Sequence, residues 1–437
     1  MTNTPASLTL RLLTMAGTAA RLELERVLTL AGIRTYVEKV GGRLYKPCRR
    51  FLREALFGLV ENRSVLLSQI GRALDEPRRL IHTEKRLSRN LGNERYDDEA
   101  VEKDYLRLVA PILRDERYPR PVIAVDLTDI AKPRARKMPY LYKVHDGSRD
   151  EIVTGYQVVS VEAVGVRGRR LPLLSRLFSQ AAPGFKSQNA SALDAVATGC
   201  PHVPDDAFWV FDSGFDGHIF FQRLDEIGIS YAVRLKVSND RLLHTPEGQM
   251  KVSEAVALLP QPHAHRIKFR RREGKGWKRK ELQLGFVRDV HLPEYTPGGR
   301  PSKKKLGETR YSLVVAQGLG LKPLVILTTE DVQTKEDAGR VVDIYLERWG
   351  VEEANRFVKQ GFDLEDVRAL TWTGLKRMVQ LVHLAYGFLA LLVHGPRKQV
   401  ERIAATFKAF GPVPEYLYYR LLEGIGRHLR ATMDGGP

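Results

Sequence analysis

The stretch VIAVD, from Val122 to Asp126, decides the fold because the pattern of the sequence changes there. Its four consecutive apolar residues predict a strand that is buried on both faces. Before it, from about residue 8 to 113, apolar residues recur every three or four positions, as on amphipathic helices. After it, short apolar runs alternate with helical stretches. The sequence therefore predicts helices followed by an α/β layer domain with a mixed sheet.

Working outward from Val122, the same patterns predict the other elements of the core. The predicted strands cover residues 153–164, 171–178, 208–211 and 230–236, and the predicted helices cover residues 190–198 and 218–228. Residues 237–334 read as a basic, β-rich insertion, with a hairpin turning at 273–276, a long basic loop at 295–308 and strands at 311–317 and 324–330. A helix beginning at Lys335 follows.

These patterns divide the chain into five parts. We predict a helical DNA-binding domain (1–117), the first part of the core (118–236), the β-rich insertion (237–334), the second part of the core (335–395) and a C-terminal helical region (396–437). A chain of 437 residues is too long for one ordinary hydrophobic core, which agrees with this division.

Composition restricts the partners. The net charge of +18 indicates a polyanionic partner, above all nucleic acid, although basic clusters are also common on solvated helix faces. Cys48 and Cys200 are far apart, which fits a reducing cytoplasm and excludes a disulfide framework or a cysteine-based zinc site. Arginines interrupt the N-terminal apolar residues, and the apolar run 381–393 is too short to span a bilayer. We therefore expect a cytoplasmic protein without a membrane partner.

Two aspartates directly follow predicted buried strands: Asp126 follows VIAV and Asp212 follows FWVF. A carboxylate beside a buried strand is costly unless it is paired, hydrogen-bonded or bound to a metal ion. The edge of an α/β sheet is also where ligands usually bind. A single aspartate there is more often a cap or a turn former, so the pair is the stronger signal. Asp129 and Asp216 are alternative carboxylates nearby.

A third polar group lies in YLERWGVEEANRFVK, from Tyr345 to Lys359, which we predict to be helical. At roughly 100° per residue, Tyr345, Arg348, Glu352 and Lys359 project within an arc of about 60°. Periodicity alone equally fits an ordinary surface helix with an ion pair between Arg348 and Glu352.

The spacing Tyr345-x2-Arg348-x3-Glu352-x6-Lys359 resembles the Y-R-E-K signature of the DDE transposases encoded by bacterial cut-and-paste insertion sequences. The flanks agree: Asp126-Leu-Thr128 resembles the D-x-T block of that family, and Asp212-Ser-Gly214 resembles its D-x-G block. The resemblance implies a ribonuclease-H-like core interrupted by a β-rich insertion.

The resemblance also implies an activity and its cofactors. Asp126, Asp212 and Glu352 would be the catalytic residues and would hold two Mg²⁺ ions, for which Mn²⁺ could substitute. The reaction would be cleavage of DNA at the element ends followed by strand transfer into target DNA. Tyr345, Arg348 and Lys359 would bind the DNA, and in the family these positions are associated with a hairpin intermediate.

The partners implied are double-stranded DNA, namely the terminal inverted repeats and the target, and a second copy of the chain in a homodimer that synapses two ends. The location implied is the bacterial nucleoid. The alternative is a transposase scaffold that has lost catalysis and acts as a DNA-binding protein. A phosphatase of the haloacid-dehalogenase type is disfavoured, because its D-x-D motif would need an aspartate where Thr128 stands.

Weaker signals stay open. Trp277, between basic residues, could stack on an unpaired base or could cover a small core of the insertion. His263 and His265 have no cysteine or third histidine nearby, so we predict a pair of loop histidines and no zinc site.

Overall fold

The computed structural model describes residues 18–115, 120–147, 150–166, 169–239, 241–270, 277–296, 301–395, 401 and 416–430. The chain begins with helices, as predicted from residue 18 onward; the predicted residues 8–17 lie outside the described part. The helices are α1 (Thr18–Gly41), α2 (Lys46–Asn62), α3 (Leu67–Ala73), α4 (Leu80–Leu91), α5 (Asp98–Leu113), α6 (Gln188–Gly199), α7 (His218–Ile227), α8 (Val252–Leu258), α9 (Lys335–Glu347), α10 (Trp349–Gly361), α11 (Trp372–Val393) and α12 (Tyr418–Arg430).

The structure describes fourteen strands, which include the predicted ones in the predicted order and further short strands that were not predicted. They are β1 (Val122–Ala131), β2 (Tyr142–Asp146), β3 (Glu151–Val166), β4 (Arg169–Phe178), β5 (Phe208–Phe211), β6 (Ser230–Arg234), β7 (Leu242–Thr245), β8 (Gly248–Lys251), β9 (His263–Arg270), β10 (Trp277–Val290), β11 (Pro293–Tyr295), β12 (Pro301–Lys305), β13 (Tyr311–Gln317) and β14 (Leu324–Thr328).

Ten of these strands form one mixed sheet in the order β2-β3-β1-β5-β6-β14-β13-β10-β9, with β4 paired to β3. The pairs β3–β1 and β3–β4 are antiparallel, whereas β1–β5 and β5–β6 are parallel. Parallel neighbours need crossover connections, and α6 and α7 provide them. This large mixed sheet, preceded by helices, confirms the predicted α/β fold class with a ribonuclease-H-like core.

Four of the described strands in residues 237–334 extend the core sheet, and the other four form two separate two-stranded sheets, β7 with β8 and β11 with β12. β14 pairs antiparallel with β6, and β13, β10 and β9 continue outward from it. Trp277 pairs with Arg270, so β9 and β10 form the predicted hairpin, whose turn at 271–276 lies outside the described residues. Part of the predicted basic loop instead forms a short ladder between β11 and β12, because its lysine-rich end pairs back on Pro293. The domain boundaries themselves stay a prediction.

The N-terminal helices share the hydrophobic core of the α/β part. Arg377 of α11 is 1% exposed, and its hydrogen bonds connect α11 to the N-terminal helices. Its guanidinium donates to both carboxylate oxygens of Asp98 (2.9 and 2.8 Å) and to the carbonyl of Leu91 (2.6 Å), and it stacks 4.3 Å from the centre of the Tyr96 ring. A buried guanidinium is tolerated because these partners satisfy it.

The helix α11 is long and apolar enough to cross a membrane by length and composition alone. However, 78% of the apolar window is buried inside the protein, which is the pattern of a core helix. The apolar run 381–393 forms the second half of this buried helix.

Glu162 of β3 is a buried acid in the centre of this core, 2% exposed. The hydroxyl of Tyr386 donates a hydrogen bond to it, and Tyr105, Tyr416 and the guanidinium of Arg170 also face it. Burial raises the pKa of Glu162 to about 7, although the charge of Arg170 opposes the rise. Because its pKa in the unfolded chain is lower, Glu162 contributes stability that is lost as the pH rises through about 7.

We expect Glu162→Gln to flatten the pH dependence of stability. Between pH 5 and pH 8 the free energy of unfolding of the parent should fall by about 3 kcal/mol more than that of the variant, since glutamine cannot ionise. Urea unfolding at the two pH values, followed by circular dichroism, measures this difference. The exposed pair Glu353–Arg356 supplies a control in Glu353→Gln, which should follow the parent. Parallel pH profiles for Glu162→Gln and the parent would contradict the assignment.

Candidate active site

Asp126 and Asp212 lie side by side at one edge of the parallel strands. Val125 of β1 pairs with Phe211 of β5, and each aspartate is the next residue. The prediction that Asp126 ends its strand is wrong, because β1 continues to Ala131 by pairing with β3 after β5 has ended. Asp212 does end β5, and its carboxylate accepts a hydrogen bond from the backbone N–H of Gly214 (2.7 Å). It therefore also caps the following turn.

The predicted helix from Tyr345 to Lys359 is interrupted at Arg348, where α9 ends and α10 begins. The N–H of Arg348 bonds to the carbonyl of Tyr345 (3.1 Å), and the N–H of Val351 bonds to the carbonyl of Arg348 (3.0 Å). These i→i+3 bonds tighten the backbone locally. The prediction of one continuous helix is thus wrong at this point.

The junction between α9 and α10 packs closely against side chains of β3 and β4. A Cβ atom added to Gly350 would lie 2.1 Å from Nη1 of Arg170 and 3.0 Å from Val164. Glycine at this position leaves room for the side chains of Arg170 and Val164 beside the first turn of α10. The approach places the face of α10 that carries Glu352 over β1.

Arg348 lies between two of the predicted carboxylates. Its Nη2 donates to Oε1 of Glu352 (3.0 Å), and its Nη1 lies 3.6 Å from Oδ1 of Asp126. The side chain of Arg348 is 8% exposed, that of Asp126 is 14% exposed and that of Glu352 is 53% exposed. The ion pair between Arg348 and Glu352 that an ordinary surface helix would have is thus present, but the side chain of Arg348 is buried over the sheet.

The site is a cluster of mutually repelling acids around one arginine. Burial raises the pKa of Asp126 to about 7, and the carboxylates of Asp212 and Glu352 add to the rise while Arg348 opposes it. These influences place all three predicted acids and Arg348 near one another, although they come from β1, β5 and α10. The tertiary structure therefore brings the predicted carboxylates to one place.

Asn355 belongs to the site, and the sequence analysis missed it. Its Nδ2 donates to Oδ2 of Asp126 (3.1 Å), and its Oδ1 accepts a hydrogen bond from the hydroxyl of Ser160 (2.8 Å). Its position three residues after Glu352 and four before Lys359 puts it on the same face of α10. The spacing of Asn355 from Glu352 and Lys359 could therefore have identified it from the sequence.

Tyr345 and Lys359 are more enclosed than DNA-contacting residues on an open surface. Tyr345 is 2% exposed, its ring centre lies 5.9 Å from the Arg348 guanidinium carbon, and burial raises the pKa of its hydroxyl. Nζ of Lys359 lies 3.3 Å from Asp129 and 3.4 Å from Glu365. Their contacts to DNA stay a prediction.

The alternative carboxylates have partners of their own. Asp129 is held by Lys359. Asp216, 1% exposed at its side chain, pairs with Arg241 (2.6 Å) and accepts a hydrogen bond from the N–H of Lys236 (2.9 Å). Asp216 is thus saturated by a structural ion pair, which favours Asp212 as the functional acid of this segment.

The structure decides the position of the two histidines, His263 and His265, but not the role of Trp277. His263 and His265 lie on β9, so the prediction of loop histidines is wrong; the hairpin with β10 extends through them. Nε2 of His265 lies 2.9 Å from Asp343. The backbone of Trp277 starts β10, but its side chain lies outside the described part, and its contact with DNA stays a prediction.

A basic run follows β1 and was also missed. Arg134, Arg136 and Lys137 are exposed in the connection from β1 to β2. Since β1 carries Asp126, this run lies along the chain shortly after the acid cluster. Exposed cations at such a place suit a polyanionic ligand.

The donor set suits a hard divalent cation in its chemistry. Three carboxylates supply the oxygen ligands that Mg²⁺ prefers, and a cation bound among them would offset their mutual repulsion. Within the described ranges, no three acidic, histidine or cysteine side chains are already arranged to hold a metal ion. The guanidinium of Arg348 supplies the positive charge between Asp126 and Glu352 instead.

Comparison with known proteins identifies the family of the chain. The family model described as Transposase DDE domain matches residues 117–388, more than half of the chain. No sequence of a curated protein matches the chain. Among solved structures, the cryo-EM structure of the piggyBac transposase synaptic complex with hairpin DNA is similar over 93% of this chain and 79% of that chain, with 11% identity and a TM-score of 0.40, a likeness too weak to bear on function.

Proposed function

The chain belongs to the Transposase DDE domain family, and we propose from this that it is a cut-and-paste transposase of the Y-R-E-K branch from a bacterial insertion sequence. It would cut DNA at the ends of its element and join those ends to target DNA, as a homodimer that bridges two ends. The observation that carries the proposal is that Asp126 and Asp212, at paired strands, lie near Glu352 of α10 and near Arg348, which stands between α9 and α10.

In the proposed reaction the acidic residues would bind metal ions and the basic residues would bind phosphate groups. Asp126, Asp212 and Glu352 would hold divalent cations, Mg²⁺ or Mn²⁺. When bound, such ions activate a water or a 3′-hydroxyl and stabilise the leaving 3′ oxygen. Arg348 carries a forked donor that matches phosphate oxygens, whereas Lys359 carries a point charge. Both currently pair with acids, so a phosphate would compete with those carboxylates for them.

A plasmid assay tests the proposal. The purified chain is incubated with supercoiled plasmid carrying the gene and its flanking DNA, with Mg²⁺ or with EDTA. We expect cuts at the outer edges of short inverted repeats, only in the presence of Mg²⁺. Binding to the flanking DNA without any cut under Mg²⁺ or Mn²⁺ would support the alternative of a DNA-binding protein on a transposase scaffold.

The first helices offer a surface for the DNA backbone. On α2, Lys46, Arg49, Arg50 and Arg53 recur at helical spacing and are exposed or half-buried. Arg49 pairs with Glu38 (3.1 Å) and Arg50 pairs with Glu54 (2.6 Å). Within the part of the chain that the structure describes, Lys46 and Arg53 have no ion-pair partner, so they are the cations most available to phosphates.

We expect Arg53→Ala to reduce the salt dependence of DNA binding. Loss of one phosphate contact lowers the slope of log K against log salt concentration by about 1. Fluorescence anisotropy with the flanking DNA at several salt concentrations measures the slope. Arg43→Ala is the matched control, since Nε and Nη2 of that guanidinium already donate to both carboxylate oxygens of Asp104 (3.0 and 2.7 Å), and its slope should stay that of the parent. Equal slopes for Arg53→Ala and the parent would remove α2 from the interface.

A further inference from the structure

We propose that Asn355 is a positioning residue of the active site: it orients the carboxylate of Asp126 and fixes α10 in register on β1. The inference rests on the proposed function, in which Asp126 holds a divalent cation. Its basis is a continuous chain of hydrogen bonds from Ser160 through Asn355 to Asp126, with lengths of 2.8 and 3.1 Å. These groups lie on three elements, β3, α10 and β1.

The chain of hydrogen bonds has a direction. A side-chain amide has an acceptor on one side and donors on the other, so its orientation decides what it offers. The hydroxyl of Ser160 donates to Oδ1 of Asn355, which turns Nδ2 toward Asp126. Ser160 is placed for this because it pairs directly with Asp126 across the ladder of β1 and β3. The strand register thereby fixes the orientation of the amide.

The choice of an amide has an electrostatic consequence. Asn355 is neutral, so its hydrogen bond orients Asp126 without cancelling the negative charge that a cation would need. It contacts Oδ2, while Oδ1 is the oxygen on the side of Arg348, 3.6 Å from that guanidinium. The two oxygens of Asp126 therefore have separate partners, and the carboxylate cannot rotate freely.

The same bond also sets the position of Glu352. Asn355 follows Glu352 by one turn of α10, so anchoring Asn355 over β1 anchors Glu352 at a fixed distance from Asp126. The apolar contacts of α10 do not fix its position on β1 as specifically, because apolar contacts have little directionality. Partners of this kind typically change metal affinity by about 10–100-fold when removed.

Asn355→Ala tests the inference with two readouts. We expect the affinity for Mn²⁺, measured by calorimetry on the full chain without DNA, to fall about 10–100-fold. The Mg²⁺ concentration for half-maximal plasmid cleavage should rise by a similar factor. Binding of the flanking DNA in EDTA should equal that of the parent, because Asn355 acts through Asp126.

A matched control lies on the same helix. Gln360 carries the same amide but is exposed and accepts a hydrogen bond from Tyr419 (3.1 Å), so Gln360→Ala should bind Mn²⁺ as the parent does. Ser160→Ala leaves α10 intact and should weaken Mn²⁺ binding less than Asn355→Ala. The double variant should be no weaker than Asn355→Ala alone, since Ser160 acts through Asn355.

The outcomes separate the inference from the proposed function. If the parent binds Mn²⁺ and both Asn355→Ala and Ser160→Ala bind it equally well, the positioning role is wrong, even if Asn355→Ala lowers thermal stability. Should Asn355→Ala not fold, Ser160→Ala alone decides: unchanged Mn²⁺ affinity overturns the inference and weaker affinity supports it. A parent that binds no Mn²⁺ and cuts no DNA overturns the proposed function and the inference with it.

Discussion

Replacing Asp126 by asparagine should reduce DNA cleavage about 10³-fold or more, because the metal-dependent stabilisation lost is worth several kcal/mol. Asparagine has the shape of aspartate, so its side-chain oxygen can still accept the hydrogen bond from Asn355. It lacks the negative charge, and Asp126 is the acid that faces both Asn355 and Arg348. The change therefore removes a cation ligand while leaving the packing of α10 on β1 in place.

The measurement compares cleavage with binding. The rate of plasmid cleavage with Mg²⁺ is measured beside binding of the flanking DNA in EDTA, which we expect to be unchanged or tighter, since one negative charge is lost. Glu353→Gln is the control: its carboxylate adjoins Glu352 in sequence but pairs with Arg356 (3.0 Å), and its rate should match that of the parent. If Asp126→Asn cleaves at the parental rate, Asp126 is not a metal ligand.

The second large effect is expected for Arg348→Ala, which should slow cleavage by about 10²–10³-fold, the usual cost of removing one preorganised donor from a reacting centre. The guanidinium is 8% exposed, and it is the positive group between Asp126 and Glu352. Its removal leaves these acids without compensation and removes a forked phosphate donor. Arg348→Lys should recover only part of the rate, because an ammonium cannot contact both groups in one plane.

Single-turnover cleavage with saturating DNA isolates this effect from binding. Arg356→Ala serves as the control, because Arg356 is exposed on α10, which begins directly after Arg348, and pairs only with Glu353 among the described residues. Its rate should be that of the parent. A rate for Arg348→Lys equal to that of the parent would show that charge alone matters and that the fork does not.

Local patterns in the sequence were sufficient for most elements of the core. Phe208–Phe211 is a buried strand with the predicted limits, and the helix beginning at Lys335 follows a capping box formed by Thr334 and Asp337. These features depend on residues within a few positions of each other, namely apolar runs and caps. The spacing from Tyr345 to Lys359 likewise identified the helix that carries Glu352.

The errors arose where distant segments decide the backbone. Asp126 does not end β1, because β3, a strand later in the chain, keeps pairing with it. The helix breaks at Arg348, and just after the break Gly350 packs against Arg170 and Val164, which belong to β4 and β3. The insertion extends the core sheet because β14 adds to β6, a pairing that no local pattern of residues specifies.

The sequence by itself determined most strands and helices of the core and which acids follow the buried strands, because propensity and apolar periodicity act over neighbouring residues. Only the tertiary structure decided which groups meet. In the folded protein Arg348 lies between Asp126 and Glu352, and Asp216 forms a structural ion pair with Arg241. Asn355 donates a hydrogen bond to Asp126, which is 229 residues away in the chain. Such contacts depend on how the sheet and α10 pack, and packing is a property of the whole folded core rather than of any one stretch.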